Sequence, residues 1–337
     1  MVWETNGNEP QMSLPPILQH LRIPVIASPM FIVSNPDLVI AQCKAGIVGS
    51  FPALNARPAE ALAEWLDRIT TELGEHNAKY PDRPAAPFAV NHIVHRSNVR
   101  LEHDLEQTVK FKVPIIITSL GAREDVYAAT KAYGGITLHD IINNTFAKKA
   151  IEKGATGLIA VAAGAGGHAG SLSPFALLQE IREWFDGPVA LSGSIANGGA
   201  VLAAQAAGAD VAYIGSAFIA THEANAAEGY KQMIVDSSAQ DILYTNAITG
   251  VHGNYLIPTL VKNGLDPANM PVADKSQMSF ADNKPKAWKD IWGSGQGIGA
   301  VKEVVGAGEL VDRLAAEYAA ARTRLGLPTA ASSWAAG

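Results

Sequence analysis

Short apolar runs and amphipathic stretches alternate along most of this chain. Eight runs, Pro24–Ser28, Gly46–Ser50, Pro87–Asn91, Val113–Thr118, Ile136–His139, Gly157–Ala162, Pro188–Ser192 and Val211–Gly215, are mostly apolar at consecutive positions. Continuous rather than alternating apolar residues mark strands covered on both faces. Between them, Pro36–Ala45, Pro58–Leu73, Val99–Phe111, Arg123–Tyr133, Asn143–Lys153, Pro174–Phe185 and Gly199–Ala207 carry apolar residues at helical spacing. Eight strand-then-helix units predict a (β/α)8 TIM barrel of the α/β class. An open doubly wound sheet is the alternative, but eight regular units are more than it needs.

Two segments depart from this rhythm. Beyond the eighth strand, Asn225–Asp236 reads as a helix and Ser237–Ala287 as irregular chain. Long segments of that kind in compact domains are usually functional loops. The expected organisation is therefore a barrel over residues 17–224, a cap or insertion over its mouth at 225–290, and a closing segment with the final barrel helix at 291–325. That helix is expected at about Gly308–Arg322, after Trp292-Gly293-Ser294-Gly295-Gln296-Gly297.

Composition narrows the function classes. With 337 residues, 48% of them hydrophobic, the chain has ample material for one large core. The net charge is −6 and no Lys/Arg cluster stands out, which argues against a nucleic-acid partner. Apolar runs are too short to span a bilayer, so no membrane partner is expected. The polar Met1–Pro16 stretch lacks the basic start and apolar core of a secretory leader. The single cysteine, Cys43, reads as a buried helix residue and suits a reducing, cytoplasmic setting. A homo-oligomer is compatible with all of this.

In such barrels, chemistry gathers at the carboxyl ends of the strands. Those ends read Ser28-Pro29-Met30, Asn91-His92, Thr118-Ser119, His139-Asp140, Gly164–Gly170, Ser192-Gly193-Ser194 and Gly215-Ser216. Small and polar residues after the seventh and eighth strands fit a phosphate site built from backbone N–H groups and a helix start. Tight turns explain either loop alone; the pair at these two units favours phosphate. The sixth loop, Gly164-Ala165-Gly166-Gly167-His168-Ala169-Gly170, combines close-approach backbone with one imidazole. His168 there is either a turn residue held by backbone or a proton-transfer group facing the ligand. His139-Asp140 is either a mutually bonded pair or a ligand contact. Tyr255, Leu256 and Phe218 are either an apolar roof over a substrate or core.

Three other patterns carry less. Gly164-x-Gly166 begins like a dinucleotide fingerprint, but Ala169 takes the third glycine position and the strand is the sixth. Ser192-x-Ser194 lacks the G-x-S-x-G of a nucleophile elbow. His92, His95 and His103 match no zinc spacing, so no metal is expected.

Ala27-Ser28-Pro29-Met30, Phe88-Ala89-Val90-Asn91, Ala163–Gly170, Ser192–Gly198 and Gly215–Thr221 together resemble the FMN-dependent nitronate monooxygenases, formerly called 2-nitropropane dioxygenases. The resemblance runs from Ile23 to about Tyr318. It implies an FMN-binding TIM barrel that oxidises alkyl nitronates, or nitroalkanes, with O2 to carbonyl compounds and nitrite. Carried over, it places Ser28, Pro29 and Met30 along the isoalloxazine and Asn91 on the ring. Gly193, Ser194, Gly215 and Ser216 would hold the phosphate, and Gln296 would approach from the closing segment. His139, Gly166, Gly167 and Ser192 complete the expected cofactor contacts, and His168 becomes the catalytic base. One departure stands out: related reductases place Lys where this chain has Asp140. Related flavin barrels include NAD(P)H:quinone and enoyl reductases, so a reductase is the alternative activity. A non-catalytic barrel binding a phosphorylated ligand is the alternative of another class.

Overall fold

The computed structural model describes residues 14–271 and 289–328. Residues 1–13 of the polar amino-terminal stretch and 272–287 of the expected irregular segment lie outside this range. The expected strands form at β1 (Val25–Ala27), β2 (Gly49–Pro52), β3 (Phe88–Ile93), β4 (Ile115–Ser119), β5 (Ile136–Ile141) and β6 (Gly157–Val161). A two-residue strand, β7 (Gly167–His168), then leaves the pattern, before β8 (Val189–Ser192) and β9 (Val211–Ile214). These strands apart from β7 pair in parallel, in the order β1-β9-β8-β6-β5-β4-β3-β2. A parallel bridge between Ile26 and Val48 joins the two ends, with Ala27 N–H donating to the Val48 carbonyl at 2.8 Å. The sheet is thus a closed (β/α)8 barrel and not an open doubly wound sheet.

Strand alternation explains the continuous apolar runs. Ile115 and Ile117 face the barrel interior, beside Ile26, Leu138 and Ile159, whereas Ile116 faces out toward the helices with Phe51 and Leu66. Both faces are largely dry, so apolar residues follow one another without alternation. Helix α1 (Pro16–Gln19) closes the bottom, where Leu18 packs into the interior cluster. Helices α2 (Pro36–Lys44), α3 (Ala61–Lys79), α4 (Leu101–Lys110), α5 (Glu124–Ala132), α6 (Asn144–Glu152), α7 (Pro174–Arg182) and α8 (Gly198–Ala206) form the outer ring. Three begin at an asparagine cap: Asn35, Asn143 and Asn197 accept from the N–H of Leu38, Phe146 and Ala200. Such caps are worth about 1 kcal/mol each. Cys43 is buried on α2, as expected.

After β9 come α9 (Ser216–Ile219) and α10 (Glu228–Asp236). The chain beyond them is more regular than its sequence suggests. It holds β10 (Ile242–Thr245), β11 (Gly253–Leu256) and α11 (Ile257–Lys262). β11 pairs antiparallel with β10 on one side and with β7 on the other. Alternation is masked there because β11 is buried at every position. Helix α12 (Ala307–Arg324) ends the ring, packed on α8. Among the described residues no helix is long and apolar enough to cross a membrane.

Two histidines in the wall make folding pH-sensitive. His92 Nε2 lies 3.1 Å from Thr108 Oγ1, and His139 Nδ1 lies 2.7 Å from Thr118 Oγ1. Burial lowers both from 6.5 to about 4. The unfolded chain therefore takes up these protons first as pH falls. Stability is fully present above about pH 6.5 and is lost as pH drops toward 4, by up to about 1.4 kcal/mol per pH unit for each histidine. The melting temperature is expected to fall over this window, and His139→Gln to flatten the fall. Identical slopes for wild type and variant would contradict this assignment.

Candidate active site

The strand ends converge as the barrel geometry requires. Gly164, Ala165 and Gly166 from the loop after β6 meet Ser192, Gly193 and Ser194 at the end of β8, Gly215 and Ser216 after β9, and Gly295 and Gly297 of the closing segment around one cavity. The walls are glycine backbone and serine hydroxyls. The Gly164 carbonyl accepts from Ser194 N–H at 3.2 Å and from Gln296 N–H at 2.9 Å, and Ser216 Oγ accepts from Gly295 N–H at 2.8 Å. Four segments distant in sequence are therefore stitched together, three by backbone alone and the fourth through the Ser216 hydroxyl.

This closeness is why glycine is needed. A Cβ on Gly166 would lie 2.8 Å from Gly295 N and 2.9 Å from Ser216 Oγ. Gly193 has φ +146°, and a Cβ there would lie 2.7 Å from the Ala163 carbonyl oxygen. The result is a small, uncharged cradle lined by short donors beside the start of α9. Backbone N–H groups and hydroxyls of this kind suit a phosphate oxygen.

Ser28, Pro29 and Met30 leave β1 at the same end. Ser28 N–H donates to the Ile214 carbonyl at 2.8 Å, tying them to the end of β9. Met30 N–H donates to Ser34 Oγ at 2.9 Å and its carbonyl accepts from Asn55 Nδ2 at 3.0 Å. Asn91 lies inside the mouth, where its Nδ2 donates to the Ile117 carbonyl at 3.3 Å and to Ser119 Oγ at 2.8 Å. Ser119 Oγ donates onward to Asp140 Oδ2 at 2.5 Å.

His139 does not join this group through its side chain. It and Asp140 are successive on β5, so they point to opposite faces. Asp140 shares the inner face of Leu138, while His139 turns outward to Thr118 and to Tyr127 of α5, whose OH lies 3.2 Å from its Nδ1. The two residues are thus not a mutually bonded pair.

His168 is held by the small sheet. It pairs with Gly253 across β7 and β11, and its Nε2 lies 3.0 Å from Thr249 Oγ1. The Thr249 hydroxyl donates to the Val251 carbonyl at 3.1 Å. The Thr249 hydroxyl thus ties the imidazole to the turn before β11. Burial lowers the imidazole from 6.5 to about 4, so it is neutral at pH 7.

Asn254 and Thr249 escaped the sequence reading. Asn254 Nδ2 donates to the Ala165 carbonyl at 2.7 Å, while its buried Oδ1 has no partner. Only the pairing of β11 with β7 reveals either residue. Ser119 stood at a polar strand end, but its partners became visible only with the barrel closed. Tyr255, Leu256 and Phe218 are fully buried, so core packing and not a substrate roof accounts for them. Among the described residues no group of three or more His, Cys, Asp or Glu side chains gathers as a metal site would require.

The chain is similar to known proteins. The nitronate monooxygenase of Paraburkholderia phytofirmans is 28% identical over 74% of this chain and 79% of its own length. A (3aS,4S,5R,7aS)-5-hydroxy-7a-methyl-1-oxo-octahydro-1H-indene-4-carboxyl-CoA dehydrogenase of Rhodococcus jostii is 26% identical over 73% of this chain and 66% of its own. Among solved structures, nitroalkane oxidase from Streptomyces ansochromogenes superposes with a TM-score of 0.77 at 26% identity, covering 92% of this chain and 99% of that one. The nitronate monooxygenase family matches residues 16–317. With a closed barrel, a glycine-serine cradle at its mouth and a family match over nearly its whole described length, the chain belongs to the nitronate monooxygenase family and is an oxidoreductase.

Proposed function

We propose that this enzyme is an FMN-dependent nitronate monooxygenase, which oxidises alkyl nitronates and nitroalkanes with O2 to carbonyl compounds and nitrite. The observation that carries the reading is the union of the uncharged cradle with a neutral imidazole held by a separate sheet. The cradle suits the FMN phosphate because Gly193, Ser194, Gly215 and Ser216 offer short donors where a side chain on glycine would intrude. Gly166, Gly167, Ser192 and Gln296 line or adjoin it, and the Ser28–Met30 turn and Asn91 would flank the ring. The structure gives His139 no side-chain route to it, so only its backbone stays in the proposed set. The flavin, when bound, supplies the acceptor through which substrate electrons pass to O2.

The chain's own contribution is acid–base control and placement. A nitroalkane carries an acidic α-carbon, and a neutral imidazole can take that proton. His168 is the base, placed by its backbone pairing with Gly253 and by the contact of its ring with Thr249. The resulting imidazolium would then pair with the nitronate charge. A preformed nitronate needs no base and bypasses this step.

The alternative activity is a reductase that draws electrons from NADH or NADPH. Anaerobic mixing separates the two. Flavin-loaded protein is expected to keep its yellow colour with either nicotinamide and to bleach with ethylnitronate. Rapid bleaching by NADH with none by nitronate would overturn the monooxygenase reading.

A further inference from the structure

Asp140 is the one acidic side chain brought into the barrel mouth by β5, and no step above uses it. Its surroundings settle which oxygen carries a proton. The Ile117 carbonyl can only accept, so the group of Asn91 that reaches it is the amide nitrogen. That same nitrogen donates to Ser119 Oγ, so the Ser119 hydrogen goes to Asp140 Oδ2. Oδ2 is therefore an acceptor in both protonation states. Oδ1 is buried and has no partner. An unpartnered buried carboxylate oxygen is costly, and the cost is removed when that oxygen holds a proton and donates it.

Resting on the reading of this mouth as a flavin site, we propose that Asp140 meets the bound flavin as a neutral carboxylic acid. Its Oδ1–H donates to an acceptor atom of the ring system, and Asn91 and Ser119 orient it. The chain Asn91 → Ser119 → Asp140 is thus a device for presenting one proton. Burial raises this carboxyl from 3.8 to about 7, and the Ser119 hydrogen bond acts in the opposite direction. The other elements around it bring few titratable groups. Ser119 comes from β4, Asn91 from β3, and Ile159 is its register partner on β6. Tyr213 of β9 is held protonated well above the usual tyrosine value by burial and then by the charge of Asp140. His139 lies on the far side of the wall.

The consequence is flavin affinity that depends on pH. Kd for FMN and for riboflavin, read by quenching of flavin fluorescence, is expected to rise as pH climbs through about 7. If only the protonated form binds, the rise approaches tenfold per pH unit above the midpoint. Asp140→Asn keeps a donor without a titration, so its Kd should stay level relative to wild type from pH 6 to 8.5. The FMN phosphate titrates equally in both proteins, and riboflavin lacks it. Ser119→Ala removes the bond that lowers the carboxyl, so its midpoint should move up; this variant carries the test if Asp140→Asn does not fold. Parallel curves for wild type and Asp140→Asn, or a Ser119→Ala midpoint that stays or moves down, would overturn the assignment. Failure of wild type to bind either flavin at any pH would instead overturn the flavin reading of the mouth.

Discussion

Replacing His168 by asparagine is expected to slow oxidation of neutral nitroalkanes by about 10²–10⁴-fold, the usual range for a positioned general base. Preformed nitronates should lose far less, within a few-fold, because their α-proton is already gone. Asparagine fills similar space but accepts no proton at neutral pH. The pH dependence adds a second readout. Burial lowers His168 to about 4, so the base stays neutral as pH falls through the ordinary histidine range. The acid limb of kcat/KM on nitroalkanes should therefore lie well below pH 6.5. Initial rates on nitroethane and ethylnitronate, taken side by side across pH, check both points. Equal losses on the two substrates would remove the base role from His168.

The second large effect concerns the cradle. Gly193→Val adds a branched side chain at a backbone angle of φ +146°, where a Cβ already meets the Ala163 carbonyl oxygen at 2.7 Å. Side chains with L chirality rarely adopt that conformation, and a backbone oxygen cannot swing aside. The loop must shift, and with it the donors that would hold the phosphate. FMN affinity is expected to fall by at least about 100-fold, equivalent to about 2.7 kcal/mol. The far-ultraviolet circular dichroism of the barrel should persist, because β8 ends before this residue. Gly74→Ala is the control: it lies in α3 with nothing within 4 Å of an added Cβ, and flavin affinity should not change. Titration of apoprotein with FMN measures both. Wild-type affinity in Gly193→Val would mean that the phosphate is held elsewhere.

How much of this was legible depends on how far apart the partners lie in the chain. The barrel was readable because each βα unit carries its own signal: a dry strand, a small polar end, an amphipathic helix. The glycine and serine loops were readable for the same reason, since close backbone approach demands those residues locally. The grip on His168 was not. Its partner Thr249 lies 81 residues away, and no local pattern marks the pairing of β7 with β11. That segment reads as irregular because β11 is buried along its whole length and shows no alternation. The fate of His139 was within reach, however. A strand continuing through Ile141 puts His139 and Asp140 on opposite faces, and Leu138 already belongs to the inner one. Stopping the strand at His139 hid that parity.

The same lesson applies to Asp140. A carboxylate at a strand end looks like a solvated rim residue until the barrel closes around it. Only then do Ser119 and Asn91 line up behind it and leave the buried Oδ1 as the one carboxyl oxygen without a partner. On the proposed reading, the mouth combines a backbone cradle for an anion, one imidazole for a proton from carbon, and one carboxyl group set by its neighbours. None of the three depends on a surface charge.

Oxygen uptake by the FMN-loaded protein tests the central claim most directly. With ethylnitronate or propionate 3-nitronate, an oxygen electrode should record rapid consumption, accompanied by nitrite release and with no nicotinamide present. NADH or NADPH alone should leave the trace near its baseline. A flat trace with both nitronates, from protein shown to hold its flavin, would contradict the account.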